Sequence, residues 1–93
     1  MFTRDDTKAA TNAVKHDVTF EEAATIFDDS NGLDWEDSEH SFVEERRKRL
    51  GKSKTQRILI AVYTVRRNND KETIRIISAR QASSKERETY AGL

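Results

Sequence analysis

The chain has 93 residues, 34% hydrophobic and 37% charged, and its 17 basic and 17 acidic side chains sum to zero net charge. A chain of this length makes one small domain with a thin core, here residues 1–93 as a single unit. With no cysteine, it excludes disulfides, thiolate zinc sites and cysteine nucleophiles.

The neutrality conceals a split. Residues 1–45 hold three basic and thirteen acidic side chains, and residues 46–93 hold fourteen and four, which is −10 followed by +10. Charge clustered in this way is the footprint of a nucleic-acid binder, or else of an acidic half packed beside a basic one.

In chain order, Asp5 or Asp6 can cap a first helix that runs to about His16. Thr19-Phe20-Glu21-Glu22 has the pattern of a capping box, with Phe20, Ala23, Ala24 and Phe27 forming the stripe of a second, short helix. Asp28 to Gly32 is a turn cluster. Leu33 to Trp35 fits a short strand, the acidic stretch to Glu45 a surface loop, and Arg46 to Gly51 a basic strand. Ile58 to Thr64 is apolar and β-branched throughout, so it reads as a central strand buried on both faces. Asn68-Asn69-Asp70 supplies a hairpin turn and Thr73 to Ala79 the returning strand. Ser83-Ser84-Lys85-Glu86 is a second capping box, opening a C-terminal helix with Arg87 and Tyr90. The expected fold is α+β: two N-terminal helices, an antiparallel meander and a C-terminal helix. Phe2, Phe20, Phe27 and Trp35 are expected in the core. The longest apolar run, Ile58 to Tyr63, is too short to span a bilayer and no signal peptide precedes residue 20, so a cytoplasmic protein with no membrane contact is expected.

The familiar catalytic constellations are missing. His16 and His40 match no metal-ligand spacing, and the three glycines form no phosphate loop, so neither metal nor cofactor is expected. What remains is a sheet carrying cations. By strict alternation Arg75, Ile77 and Ala79 share one face of the returning strand, and Ile74, Ile76, Ser78 and Arg80 the other. Arginine, lysine and tyrosine suffice for RNA cleavage without a metal, because the RNA brings its own nucleophile, the 2′-hydroxyl. The protein must hold the backbone for in-line attack, stabilise charge on the phosphate oxygens and move two protons.

Several segments then stand in one order along nearly the whole chain. They are Asn12-x-x-Lys15-His16-x-Val18-Thr19-Phe20-Glu21-Glu22-Ala23, Phe27-Asp28-Asp29, Glu45-Arg46, Gly51-Lys52-Ser53, Arg57 with Val62-Tyr63-Thr64, and Arg75-Ile76-Ile77-Ser78-Ala79-Arg80-x-Ala82 with Glu86-Arg87 and Tyr90. In these the chain resembles the BrnT family of bacterial ribonuclease toxins, the toxin half of type II toxin–antitoxin pairs. The resemblance implies a RelE-like fold, RNA cleavage that inhibits translation, and neutralisation by a BrnA-type ribbon–helix–helix antitoxin through which the pair meets operator DNA. Two positions depart from the family's pattern: Arg4 stands where tryptophan is common, and Asp17 where glycine is usual.

Arg46, Lys52, Arg57, Arg75 and Arg80 are the candidates for holding RNA and stabilising the transition state. Tyr63, His16 and Glu45 are the candidates for orientation or proton transfer, and Arg47, Lys48, Arg49 and Arg66 for backbone binding. Arg75→Ala is expected to lower cleavage at least about tenfold, roughly 1.4 kcal/mol. The competing reading is a module that binds an antitoxin or nucleic acid without cutting, with salt-sensitive binding and no new RNA ends.

Overall fold

The β-branched run forms the longest pair of strands in the computed structural model, which describes residues 2–40 and 44–92. The strand β4 (Ile58–Asn68) pairs antiparallel with β3 (Arg47–Lys52) on one side and with β5 (Lys71–Gln81) on the other. Asn69 and Asp70 join β4 to β5 in a two-residue turn, both with positive φ, 52° and 67°. Asparagine and aspartate tolerate that conformation, and its twist matches the flanking strands. Outside β3 lies antiparallel β2 (Leu33–Glu36), and β1 (Phe2–Thr3) pairs parallel with β5, giving the order β1-β5-β4-β3-β2. The expected meander is present in β2 to β5, but β1 makes the sheet mixed. Of the acidic loop after β2, Ser38–His40 is a 3₁₀ turn, and residues 41–43 lie outside the described residues.

Among the described residues three helices flank the sheet: α1 (Asp6–His16), α2 (Phe20–Ala24) continued by a 3₁₀ turn at Thr25–Asp28, and α3 (Ser84–Ala91). Both halves of the Ser83/Glu86 capping box are present. At α2 only one half forms: Thr19 Oγ1 accepts from the Glu22 N–H at 3.0 Å. The Glu22 carboxylate instead turns to the loop between β3 and β4. It accepts from Ser53 Oγ at 2.7 Å, Thr55 Oγ1 at 2.6 Å and Arg57 Nε at 2.9 Å, with a second ion pair to the Arg57 guanidinium.

Val18, Phe20, Ala23 and Ile26 pack against Leu59, Ala61, Ile76 and Ala79 on one sheet face. Burying each of the larger side chains contributes about 1.5–3 kcal/mol. Gly51 lets β3 pass beneath this layer, because a Cβ there would lie 3.0 Å from the Ile26 carbonyl oxygen. A smaller cluster of Leu50, Ile60 and Ala82, with Ile58 and Tyr90, lies at the other face under α3. The central strand is buried on both sides over the expected stretch, with Leu59, Ala61 and Tyr63 on the covered face and Ile60 and Thr64 on the other, and it becomes exposed from Val65 onward. Phe20 is core as expected and Phe27 is half-buried against Phe2 and Tyr63, with ring centroids 5.3 and 4.9 Å away. Phe2 and Trp35, expected in the core, are 42% and 38% exposed, since each sits on an outermost strand.

A bulge resets the returning strand. The register steps from Val62–Ser78 to Tyr63–Ile76, leaving Ile77 as an extra residue. Cross-strand partners share a face, so Ile74, Ile76 and Ala79 join the helix-covered side. Arg75, Ser78 and Arg80, opposite Thr64, Val62 and Ile60, share the open side. Strict alternation put Arg75 and Arg80 on opposite faces; the bulge brings them together.

Beyond β1 the edge of β5 is closed by a side chain. Asn12 on α1 donates to the Ala79 carbonyl at 2.7 Å and accepts from the Ala79 N–H at 3.0 Å, as a neighbouring strand would. Its amide also donates to the Val18 carbonyl at 2.9 Å. α1 is thereby docked along β5, with His16 at its end.

Two stability outcomes follow. Asp17 ends α1 in the left-handed region with φ 55° and its side chain is 95% exposed, so Asp17→Gly is expected to stabilise by about 0.5–1 kcal/mol in urea denaturation. An unchanged or lower midpoint would contradict that account. For Glu22, the Arg57 hydrogen bond leads the causes that hold its pKa at about 2, against the usual 4.5, with Thr55 and Ser53 adding to it over the opposing cost of burial. A depressed carboxylate stabilises fully above the unfolded value and loses its contribution as pH falls through the folded one. Glu22→Gln is therefore expected to cost about 2–3 kcal/mol at neutral pH, and the gap to the parent should narrow from about pH 4.5 downward. A gap that stays constant to pH 3 would rule out the charge as its source.

Candidate nucleic-acid interface

The basic run at 46–49 is divided by the alternation of β3. Arg47 pairs with Tyr63 and Arg49 with Ala61 on the covered side, while Lys48 pairs with Val62 on the open side. Arg49 is built into the fold. It donates to the Ile26 carbonyl at 3.0 Å and the Asp29 carbonyl at 2.7 Å, forms an ion pair with Asp34, and lies 5.5 Å over the Phe27 ring. Arg47 lies 3.6 Å from Glu45 and also bonds Tyr63, which raises its pKa.

On the open face the cations surround a concavity of about 310 Å³, lined by His16, Asp37, Arg46, Lys48, Ile60, Val62, Ile77, Ser78, Ala79 and Arg80. His16 reaches it from the end of α1, Lys48 from β3, Arg46 from the residue just before β3, one position outside the strand expected to begin there, and Arg80 from β5 across from Ile60. Arg80 is fixed as a fork: its two terminal nitrogens lie 2.7 and 3.0 Å from the two oxygens of Glu86. That contact, with the Ser83 N–H, holds the Glu86 carboxyl at about 2 and raises Arg80 above its ordinary value, so the pair stays ionised near neutrality. Arg80 remains 45% exposed, and a guanidinium has five N–H donors, so it can grip Glu86 and still present donors to a phosphate.

The other expected site residues lie apart from this concavity. Arg75 shares the open face but stands further along β5, beside Thr64 and the end of β1. Arg57 is engaged by Glu22 and by the Asp17 carbonyl at 2.9 Å, and it ties α1 and α2 to the sheet. Tyr63, 5% exposed, donates to Asp34; burial and that carboxylate both raise its pKa, so it keeps its proton at neutral pH. Lys52 is exposed at the end of β3, its N–H donating to Asp29 Oδ2 at 2.7 Å. The Glu45 carbonyl accepts from Thr64 Oγ1 at 3.0 Å, and Arg66 lies 3.5 Å from Glu44. Asp37 and Ser78 line the concavity without having been expected there. Ser78 could have been found from its shared face with Arg80, whereas Asp37 carries no spacing signal. Among the described residues no group of three or more metal-ligating side chains is assembled.

The family model for "Ribonuclease toxin, BrnT, of type II toxin-antitoxin system" matches residues 5–86. The chain belongs to the BrnT family. Among solved structures, this BrnT-family fold is similar to the crystal structure of the Brucella abortus ribonuclease toxin BrnT. The TM-score is 0.64 at 18% sequence identity, over 90% of this chain and 99% of that one. No curated protein sequence matches the chain. The BrnT match runs from the cap of α1 to the capping box of α3 and so contains every described cation of the concavity. No helix among the described residues is long and apolar enough to cross a membrane.

Proposed function

We propose that the chain is a metal-independent endoribonuclease whose active site is the concavity on the open sheet face. The observation that carries this reading is the convergence on one hollow of His16 from α1, Lys48 from β3 with Arg46 just before it, and Arg80 from β5. The 2′-oxygen of the substrate attacks the adjacent phosphorus, the bond to the 5′-oxygen breaks, and a cyclic 2′,3′-phosphate and a 5′-hydroxyl result. The proton lost from the 2′-hydroxyl and the proton gained by the leaving oxygen pass through groups in the cleft. His16 is the candidate for one transfer, since an imidazole nitrogen can either accept or donate a proton and His16 lines the hollow. Arg80 is the candidate to stabilise charge on the non-bridging oxygens, with Arg46 and Lys48 beside it. Arg75, further along the same face, would track the RNA backbone beyond the scissile position.

Family membership supports the wider reading. A RelE-like toxin of this kind acts in the cytoplasm, inhibits translation, and is neutralised by a BrnA-type ribbon–helix–helix antitoxin that carries the pair to operator DNA. An antitoxin covering the open face would exclude RNA and shield the cations together.

The test is incubation of the chain, freed of any partner, with end-labelled RNA in excess EDTA, with product ends identified by mass. Arg80→Ala and Lys48→Ala are each expected to slow cleavage at least about tenfold, roughly 1.4 kcal/mol. The position of Arg75 outside the hollow transfers the stronger expectation from that residue to Arg80. Full activity in folded Arg80→Ala protein would remove the concavity as the site. Binding without new ends, with or without added ribosomes, would establish the non-catalytic module instead.

A further inference from the structure

The single tryptophan of the chain is on the cleft side of the sheet. Trp35 pairs with Lys48 across β2 and β3, and Lys48 lines the concavity; cross-strand partners project from the same face. A second register agrees. Asp37, two residues on, also lines the concavity, and the ladder extends to it through its N–H on the Arg46 carbonyl at 2.8 Å. A strand period of two puts Trp35 and Asp37 on one side. The other ring contacts, Phe2 with Phe27 and Phe27 with Tyr63, belong to the covered side.

An exposed aromatic alone carries no message. This one is 38% exposed, stands at the outermost strand, and has cations as its inward neighbours. A flat apolar ring bordering a strip of lysine and arginine is the combination that binds single-stranded nucleic acid, with cations on the phosphates and a base on the ring.

We propose that Trp35 is a stacking platform for one unpaired base of the RNA, next to the phosphate held by Lys48 and Arg80. The inference rests on the reading of the concavity as an RNA cleft and adds its substrate class. A base can lie on the indole only if that face is not already stacked, so the site takes single-stranded or locally opened RNA. Every base has a π-face, so the ring itself imposes no base identity.

Because Trp35 is the only tryptophan, its emission reports this position alone. The purified chain is titrated with a short single-stranded 2′-O-methyl RNA, whose blocked 2′-oxygen prevents cleavage, and with the matching duplex. Saturable quenching is expected with the single strand and little with the duplex. By anisotropy, Trp35→Ala should weaken single-strand binding about tenfold or more, with Trp35→Phe within about threefold of the parent. The salt dependence should stay the same in Trp35→Ala and become shallower in Lys48→Ala. Saturable binding that Lys48→Ala weakens, but that neither quenches Trp35 nor responds to Trp35→Ala, would overturn the stacking role and leave the cleft standing; the ring would then belong to a protein contact. No saturable binding to either RNA would overturn the cleft and the platform together.

Discussion

The Glu22 carboxylate is the point at which the acidic half of the chain is fastened to the basic half. It lies 11% exposed at the base of α2 and gathers Ser53, Thr55 and Arg57 from the loop that joins β3 to β4. Arg57 in turn reaches the carbonyl of Asp17, where α1 ends. One ionised group thus sets the relation of both N-terminal helices to the sheet. Removing a partner from such a pair leaves a poorly solvated charge behind, which is why its loss costs more than an exposed ion pair is worth. The positions of His16 and of the α1 edge contact both depend on that docking.

With the helices fastened to one face, the charge split of the sequence resolves into two different uses. Acids of the first half pair with cations on or around the covered face: Asp34 with Arg49, Glu45 with Arg47, Glu22 with Arg57. The open face receives alternate members of the same basic run, and the bulge at Ile77 places Arg75 and Arg80 there together. Packing of acids beside bases accounts for the covered side, and the proposed RNA cleft would use the cations of the open one. Neutralisation on the covered side lets a chain of zero net charge keep a cationic cleft.

Local chemistry in the sequence located most elements, because caps and turns depend on neighbours a few residues away. Ser83 with Glu86, Asp5 before α1, and Asn69-Asp70 between β4 and β5 are all of this kind. Long-range pairing was not legible. Two residues of β1 show no periodicity, and nothing in Arg75 to Arg80 marks Ile77 as the residue that drops out of register. Glu22 satisfied a local capping pattern, yet its carboxylate is committed to residues more than thirty positions away. Trp35 illustrates the same limit, since one aromatic in a short strand does not tell which face it serves or whether the strand is outermost. For the cleft, Lys48 and Arg80 were legible as cations on strands, and Arg46 as a cation at the start of one. Their convergence with His16 required the placement of α1, which the sequence does not contain locally.

The Asn12 contact gives this fold an unusual reporter. In most sheets an amide proton is shielded by the next strand, so its exchange with solvent measures how often strands separate. The Ala79 amide is shielded instead by the side chain of a helix residue. Its exchange rate measures how often α1 lifts away from β5, an opening that can occur while the β4–β5 ladder stays intact. One backbone proton therefore separates two events that a melting curve combines, and the helix whose departure it records is the one that carries His16 to the cleft.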